Sequence, residues 1–155
     1  MTPHPIEARA GISLRLRRRF AFPREAVFHA WTDPEALEQW WCPSGWTTTR
    51  IEVDLRVGGC FRIGMRKMEE KPPVFVFGRF LEVHRPEKLV FTWRWENAFP
   101  NTPETRVTVQ LAEREGVTEL VLIHEDLPEA GICLHHRSGW IAAWDRIDAC
   151  CRALH

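Results

Sequence analysis

A histidine near the end of the last predicted strand is the first residue whose type and position suit chemistry. His124 follows Thr118, Leu120 and Leu122 at even spacing, so one face of the strand carries it beside apolar side chains. It is interpreted either as a polar group or general base in a pocket, or as a hydrogen-bonded structural histidine. The structural interpretation is favoured because no nucleophile stands beside His124 in the sequence.

Arg79 is the second candidate. It shares alternate positions with Phe75, Phe77, Leu81 and Val83 in another predicted strand. If that face points inward, the guanidinium needs a glutamate or a ligand carboxylate, because an unpaired buried charge is costly. The alternative, which is favoured, is that Arg79 reaches the rim of the sheet and solvent.

Metal ligation is the third possibility. Cys133, His135 and His136 lie close in sequence, but structural zinc needs four ligands and catalytic zinc usually has three. The motifs GxGxxG, GxxxxGK[ST], HExxH and GxSxG do not occur. We therefore expect no metal and no cofactor, and no residue is assigned as catalytic.

The composition predicts one globular domain. The chain has 155 residues, of which 45% are hydrophobic and 27% charged. Residues 1–10 are predicted to form a flexible tail and residues 11–155 a single domain. Eight tryptophans and nine phenylalanines, with no tyrosine, indicate a deep apolar interior.

Charge, hydropathy and cysteine content limit the class of partner and the cellular compartment that we expect for the protein. The 21 Lys and Arg residues are balanced by 21 Asp and Glu residues, which argues against nucleic-acid binding. No apolar run approaches the length of a membrane-spanning helix, and residues 1–10 lack the apolar core of a signal peptide. Five cysteines, an odd number, fit reduced thiols, so we expect a cytoplasmic protein.

The first half of the chain positions these residues through a strand and two short helices. Alternation predicts a strand from Ile12 to Phe20, and Pro23 is expected at the first position of a helix. Asp33 and Pro34 are predicted as the cap and first residue of a second helix, which ends at 42–45. About six strands then follow to residue 126, joined by links too short for a crossover helix, so the sheet is predicted to be an antiparallel meander.

The C-terminal segment is predicted to be one amphipathic helix from about Ser138 to Ala153. Trp140, Trp144 and Ile147 belong to its apolar stripe, and Arg146 is placed on the opposite side. Cys150 and Cys151, being adjacent, are not both expected to face inward. Residues 127–137 are predicted to be a loop whose apolar residues 132–134 either cover a cavity mouth as a lid or form the first turn of the helix.

Seven stretches in order resemble one known family. They are Ala21–Pro23 with Val27 and Trp31; Thr32–Pro34 with Trp40 and Trp41; Asp54–Gly59 leading into Phe61; Gly78 with Leu81–Val83; Arg85–Trp93; Thr118 with His124; and His136–Trp140. The chain is similar to the helix-grip (START-like, SRPBCC) superfamily. It most resembles the branch named after the C-terminal domain of the activator of the heat-shock-protein-90 ATPase.

The resemblance implies an α+β helix-grip fold. In it, a curved antiparallel sheet of six to seven strands wraps a long C-terminal helix, and two short helices follow the first strand. A cavity between sheet and helix is implied as well. Its predicted lining is Trp41, Phe61, Ile63, Met65, Phe77, Arg79, Phe91, Trp93, His124, Trp140 and Trp144.

Three functions follow from the resemblance as hypotheses. The first is non-catalytic binding of a small hydrophobic or amphipathic ligand, such as a lipid, a sterol or an aromatic compound. The second is a cyclase or dehydratase acting on a polyketide-like substrate through His124 or Arg79. The third is a chaperone-interaction module, ranked last because 155 residues leave no space for the activators' N-terminal domain. A homodimer is left open.

Overall fold

The computed structural model describes residues 11–43, 45–67, 70–99 and 102–154, so the tail predicted for residues 1–10 lies outside the described part. Seven strands and three helices follow one another in these described residues. They are β1 (Ile12–Phe20), α1 (Arg24–Thr32), α2 (Pro34–Trp40), β2 (Thr47–Val53), β3 (Cys60–Arg66), β4 (Val74–His84), β5 (Lys88–Trp95), β6 (Thr105–Arg114), β7 (Val117–Leu127) and α3 (Ala130–Leu154).

The strands form one antiparallel sheet in the order β1-β7-β6-β5-β4-β3-β2. Strands β2 to β7 are therefore the predicted meander, and β1 closes the row beside β7. The two outermost strands each contain a register shift, between Ile12 and Leu14 in β1 and between Thr48 and Arg50 in β2. With two short helices after β1 and a long C-terminal helix packed on the sheet, the predicted α+β helix-grip architecture is confirmed.

The two short helices meet at a capped junction. The Asp33 side chain accepts a hydrogen bond from the Ala36 backbone N–H at 3.1 Å, and Pro34 follows as the first residue of α2, as predicted. Pro23 is the N-cap of α1 rather than its first residue, and α2 ends at Trp40, just before the expected stop. Trp41 is the C-cap of α2 and keeps helical backbone angles, with its N–H donating to the Leu37 carbonyl at 2.9 Å.

The C-terminal helix begins at Ala130, so the predicted lid over residues 127–137 is wrong. The Cys133 N–H donates to the Glu129 carbonyl at 3.0 Å, which shows that this stretch already winds as helix. Its apolar residues form the first turns of α3, the alternative that the sequence left open. Leu134 is 63% exposed and Ile132 is partly buried against the core.

Helix α3 is covered by α1 and α2 as well as by the sheet. Cys150 and Cys151 are therefore both buried, contrary to expectation: Cys150 contacts the Ala36 carbonyl of α2 and Cys151 the Ala26 carbonyl of α1. Trp144 packs against Phe20 of β1, with ring centroids 6.5 Å apart. No helix in the described part of the chain is long and apolar enough to cross a bilayer.

The side chains of strand β4 point to the faces of the sheet opposite to those predicted. Val76 and Phe80 are buried in the core, whereas Arg79 is exposed and Phe77 pairs with Arg62 and Arg94 on the outer face. The placement of Phe77 and Arg79 in the lining of the cavity is wrong, and for Arg79 the favoured alternative, exposure to solvent, is the one observed. The reason is that β4 begins with four apolar residues in a row, so its inward face cannot be identified from alternation alone.

Gly78 allows β4 and β5 to approach closely beneath an aromatic ring. A Cβ atom on this glycine would lie 1.9 Å from the Thr92 carbonyl oxygen and 2.8 Å from the Phe61 ring. The backbone oxygen cannot move without breaking the strand pair. The position therefore requires glycine for space, not for an unusual backbone angle.

Substitution of Gly78 by alanine should destabilise the fold by about 1–3 kcal/mol, the usual cost of overpacking a core. Urea denaturation followed by far-ultraviolet circular dichroism measures the free energy of unfolding. Gly131→Ala is the matched control, because the nearest atom to its added Cβ is the mobile end of the Glu129 side chain, at 3.2 Å. Equal unfolding midpoints for Gly78→Ala and wild type would contradict the packing described here.

Candidate functional site: a tryptophan-lined cleft

A cleft of about 120 Å³ lies where the end of α2, strand β5 and helix α3 meet. Its surroundings are mostly aromatic, with small residues from α3 and one arginine. The lining residues are Trp40, Trp41, Pro43, Met65, Trp93, Trp95, His135, His136, Gly139, Trp140, Ala143 and Arg146. The cleft opens beside His135 and Gly139, which are both exposed.

Trp93 is the centre of the aromatic cluster. Its ring centroid lies 5.2 Å from that of Trp140, 5.6 Å from Trp41 and 5.6 Å from Trp95. These separations are in the range in which aromatic pairs stabilise each other. The alternation of β5 brings Trp93 and Trp95 to the inner face, as the sequence predicted for Trp93.

The two tryptophans at the end of α2 have different roles. Trp40 is buried, and its indole N–H donates to the Ala30 carbonyl of α1 at 2.7 Å, which fixes the ring. Trp41 is half-buried and lies between Trp40 and Trp93, with centroids 5.4 and 5.6 Å away. Trp41 therefore forms a wall of the cleft and is held there by ring packing.

A second, smaller cavity of about 20 Å³ lies on the other side of Trp41. Its lining residues are Trp31, Leu37, Trp41, Val53, Phe61, Ile63, Phe80 and Phe91. A space of this size is at most that of a single water molecule. The side chain of Trp41 separates it from the larger cleft.

Helix α3 contributes its smallest residues to the cleft. Gly139 and Ala143, four residues apart, lie on the same face, and Arg146 follows on that face one turn later. A Cβ atom on Gly139 would meet no atom within 4 Å, so this position looks onto open space. The aromatic side chains of the sheet therefore face a helix surface that leaves the space unfilled.

His136 is held in one orientation at the edge of the cleft. Its Nδ1–H donates to the Ile132 carbonyl at 2.9 Å, so Nε2 is the acceptor for the Trp95 indole N–H at 3.1 Å. Burial lowers the pKa of His136, more than its bond to Ile132 raises it. His136 is thus a neutral positioning group for Trp95, and its lone pair is already occupied.

His124 lies behind the cleft and is fully buried. The Thr105 hydroxyl donates to the Trp93 carbonyl at 3.1 Å, so it must accept from His124 Nε2–H at 2.8 Å. The other nitrogen, Nδ1, accepts from the Trp140 indole N–H at 3.3 Å. Burial, with the nearby His136, lowers the pKa of His124 well below its ordinary value of 6.5.

Seven of the eleven residues predicted to line a cavity line one of the two spaces. The cleft is lined by Trp41, Met65, Trp93 and Trp140, and the smaller cavity by Phe61, Ile63, Phe91 and, again, Trp41. The structure does not bring the other four there: His124 and Trp144 are buried elsewhere in the core, and Phe77 and Arg79 lie on the outer face.

Sequence reasoning missed most of the contribution of α3. Arg146 was expected on the side of the helix away from the apolar stripe, and that expectation is wrong because its stem lies beside Ala143 at the cleft. The spacing of His136, Gly139, Ala143 and Arg146, at three and four residues, is the signal that would have identified this face. In the described part of the chain, no three His, Cys, Asp or Glu residues lie close enough together to hold a metal ion.

Comparison with known proteins identifies similar folds and one sequence family. The model of the family described as "Activator of Hsp90 ATPase homolog 1-like protein" matches residues 21–152. A Chromobacterium violaceum protein is 28% identical with a TM-score of 0.80, covering 88% of this chain and 94% of its own. The AHSA1 protein of Silicibacter pomeroyi is 28% identical with a TM-score of 0.79, covering 93% of this chain and 100% of its own.

A third structure, of a Rhodobacter sphaeroides protein, is 27% identical with a TM-score of 0.81, covering 92% of this chain and 93% of its own. No functionally curated protein matches the sequence. The similarity of these structures extends over nearly the whole chain, so the cleft belongs to a fold that they share.

The two buried histidines should make the protein less stable in acid. Because both have lowered pKa values when folded, the unfolded chain binds more protons below the ordinary histidine pKa of 6.5. The free energy of unfolding should therefore fall as the pH drops from about 6.5 toward 5, by up to about 1.4 kcal/mol per pH unit for each histidine. Above that range these two groups contribute no pH dependence.

Urea denaturation between pH 5 and 8 measures this slope. His136→Gln removes one of the two groups and should give a shallower slope than wild type, while His84→Gln removes an exposed histidine of β4 as the matched control. An unchanged slope in His136→Gln, or an equal reduction in both variants, would contradict the assignment.

Proposed function

The chain belongs to the Activator of Hsp90 ATPase homolog 1-like family, and we propose that it binds a small apolar or amphipathic molecule, without converting it, in the cleft between its sheet and α3. The observation that carries the proposal is the open space in front of Gly139. Glycine inside a helix is destabilising by roughly 0.5–1 kcal/mol relative to alanine. Here Gly139 adds no side chain to a cleft that five tryptophans line.

The size of the cleft favours a ligand with a single ring. Sites for drug-sized molecules measure roughly 300–1,000 Å³, and an engineered apolar cavity of about 150 Å³ accepts benzene. The cleft has about 120 Å³. Among lipids, sterols and aromatic compounds, a small aromatic compound is therefore the class that this volume supports.

The two residues to which the cyclase hypothesis assigned catalysis are not at the cleft. The cyclase hypothesis depended on His124 or Arg79 to polarise a carbonyl group, and neither lines it. His136 does line the cleft, but its Nε2 already accepts the Trp95 N–H. Binding is therefore favoured over conversion of the ligand.

Filling the space at Gly139 should abolish binding and keep the fold. Gly139→Leu places a side chain in the cleft, so we expect at least a tenfold loss of affinity for a single-ring compound. The free energy of unfolding should be unchanged or higher by up to about 1 kcal/mol, because leucine is a better helix former than glycine. Isothermal titration calorimetry and quenching of tryptophan fluorescence with benzamide, indole, laurate and a sterol measure the binding.

Gly131→Leu is the matched control, since it changes an exposed glycine of the same helix outside the cleft. It should bind like wild type. The proposal fails if wild type binds none of the four compounds, and the assignment to the cleft fails if Gly139→Leu binds as well as wild type.

A further inference from the structure

We infer that the cleft selects aromatic compounds that carry a carboxylate, and that Arg146 is the residue that recognises this group. The inference rests on the proposed binding function and specifies its ligand. It assigns to Arg146 a role in specificity, in addition to its contacts with the protein.

Arg146 is anchored at the cleft through uncharged groups. Its Nε–H donates to the Trp40 carbonyl at the end of α2, at 2.9 Å, and Nη1 donates to the Ala142 carbonyl, at 3.0 Å. These bonds use two of the five N–H groups of the guanidinium and hold its plane in place. The anchored arginine is therefore preorganised, and N–H groups on Nη1 and Nη2 are left for another acceptor.

Arg146 has no ion-pair partner in the described part of the chain: the charge of its neighbour Asp145 favours the protonated guanidinium, but Asp145 pairs with Arg18. Among the described residues, no carboxylate lies within 4.0 Å of its guanidinium, whereas Arg18 and Arg62 pair with Asp145 and Glu96 at 2.7 and 2.9 Å. The nearby Cys42 does not compensate, because burial raises the pKa of its thiol and keeps it neutral.

Partial burial increases the need for an anion. Desolvation lowers the pKa of Arg146, which reflects the cost of removing this cation from water. A partly buried arginine without an acidic partner gains most from a carboxylate, because the guanidinium matches both oxygens of that group. The free N–H groups of Arg146 and its lack of an ion-pair partner point to the same kind of ligand.

The rest of the cleft fits a ligand in which the carboxylate is attached to an apolar ring. Trp40, Trp41, Trp93 and Trp140 supply indole surfaces, and Gly139 with Ala143 supplies the space for a flat ring. An inorganic anion would leave these surfaces unused, and a neutral ring would leave Arg146 unpaired. An aromatic carboxylate satisfies both parts of the cleft.

Benzoate and benzamide provide a direct comparison, because they have nearly the same shape and differ in charge at neutral pH. Wild type should bind benzoate about tenfold more tightly than benzamide, as hydrogen bonds to a charged group predict. In Arg146→Gln this preference should disappear, so that the ratio of the two affinities falls to about one. Calorimetry at pH 7 and low salt measures both constants.

Two further variants keep the test independent of folding. Arg146→Lys retains the charge without the planar fork and should keep part of the preference, and Arg137→Gln removes an equal, exposed charge from the same helix and should keep all of it. Near-ultraviolet circular dichroism of the indole cluster verifies the fold of each variant.

The outcomes separate this inference from the function on which it rests. If wild type binds benzamide and benzoate equally, or if Arg146→Gln keeps the preference, the role of Arg146 is refuted and binding in the cleft stands. If wild type binds indole, laurate or the sterol but neither benzoate nor benzamide, this inference alone is refuted. If wild type binds none of these compounds, both are refuted.

Discussion

A chain of hydrogen bonds through the apolar interior determines how the long helix lies on the sheet. It runs from the Trp140 indole to His124, then to the Thr105 hydroxyl and the Trp93 carbonyl, and so joins α3 to β7, β6 and β5. Buried polar groups are costly unless they are paired, and here each donor has one available acceptor. These bonds fix the position and rotation of α3 on the sheet. The cleft is the space that remains between the small residues of α3 and the indole rings of the sheet.

Much of the fold could be predicted from local chemistry, and two errors have a common cause. The cap at Asp33, the alternation of β5 and the short links between strands were sufficient for the architecture. The start of α3 was placed too late because Leu134 is exposed and Gly131 interrupts the apolar pattern. The faces of β4 were exchanged because both carry apolar residues. In each case the sequence pattern is ambiguous and tertiary packing decides.

The site was less predictable than the fold. Trp41, Trp93 and Trp140 were expected at a cavity, and they line one. Whether aromatic residues fill a space or leave it open depends on ring orientation, which neither composition nor periodicity contains. The position of Arg146 was missed because a cation next to an apolar stripe is usually solvated. Only the hydrogen bonds to the Trp40 and Ala142 carbonyls show that this cation is directed back to the protein.

The two outermost strands determine whether molecules can associate through the edges of their sheets at high concentration. A free strand edge is a template on which another chain can extend a sheet, and proteins oppose this with charges and bulges. Strand β1 exposes Arg15, Arg17 and Arg19 in addition to its register shift. Strand β2 has its own shift and an exposed Arg50–Glu52 ion pair at 3.0 Å. Both edges are thus unsuited to strand addition, and a partner copy would have to dock on a face of the molecule rather than lengthen its sheet.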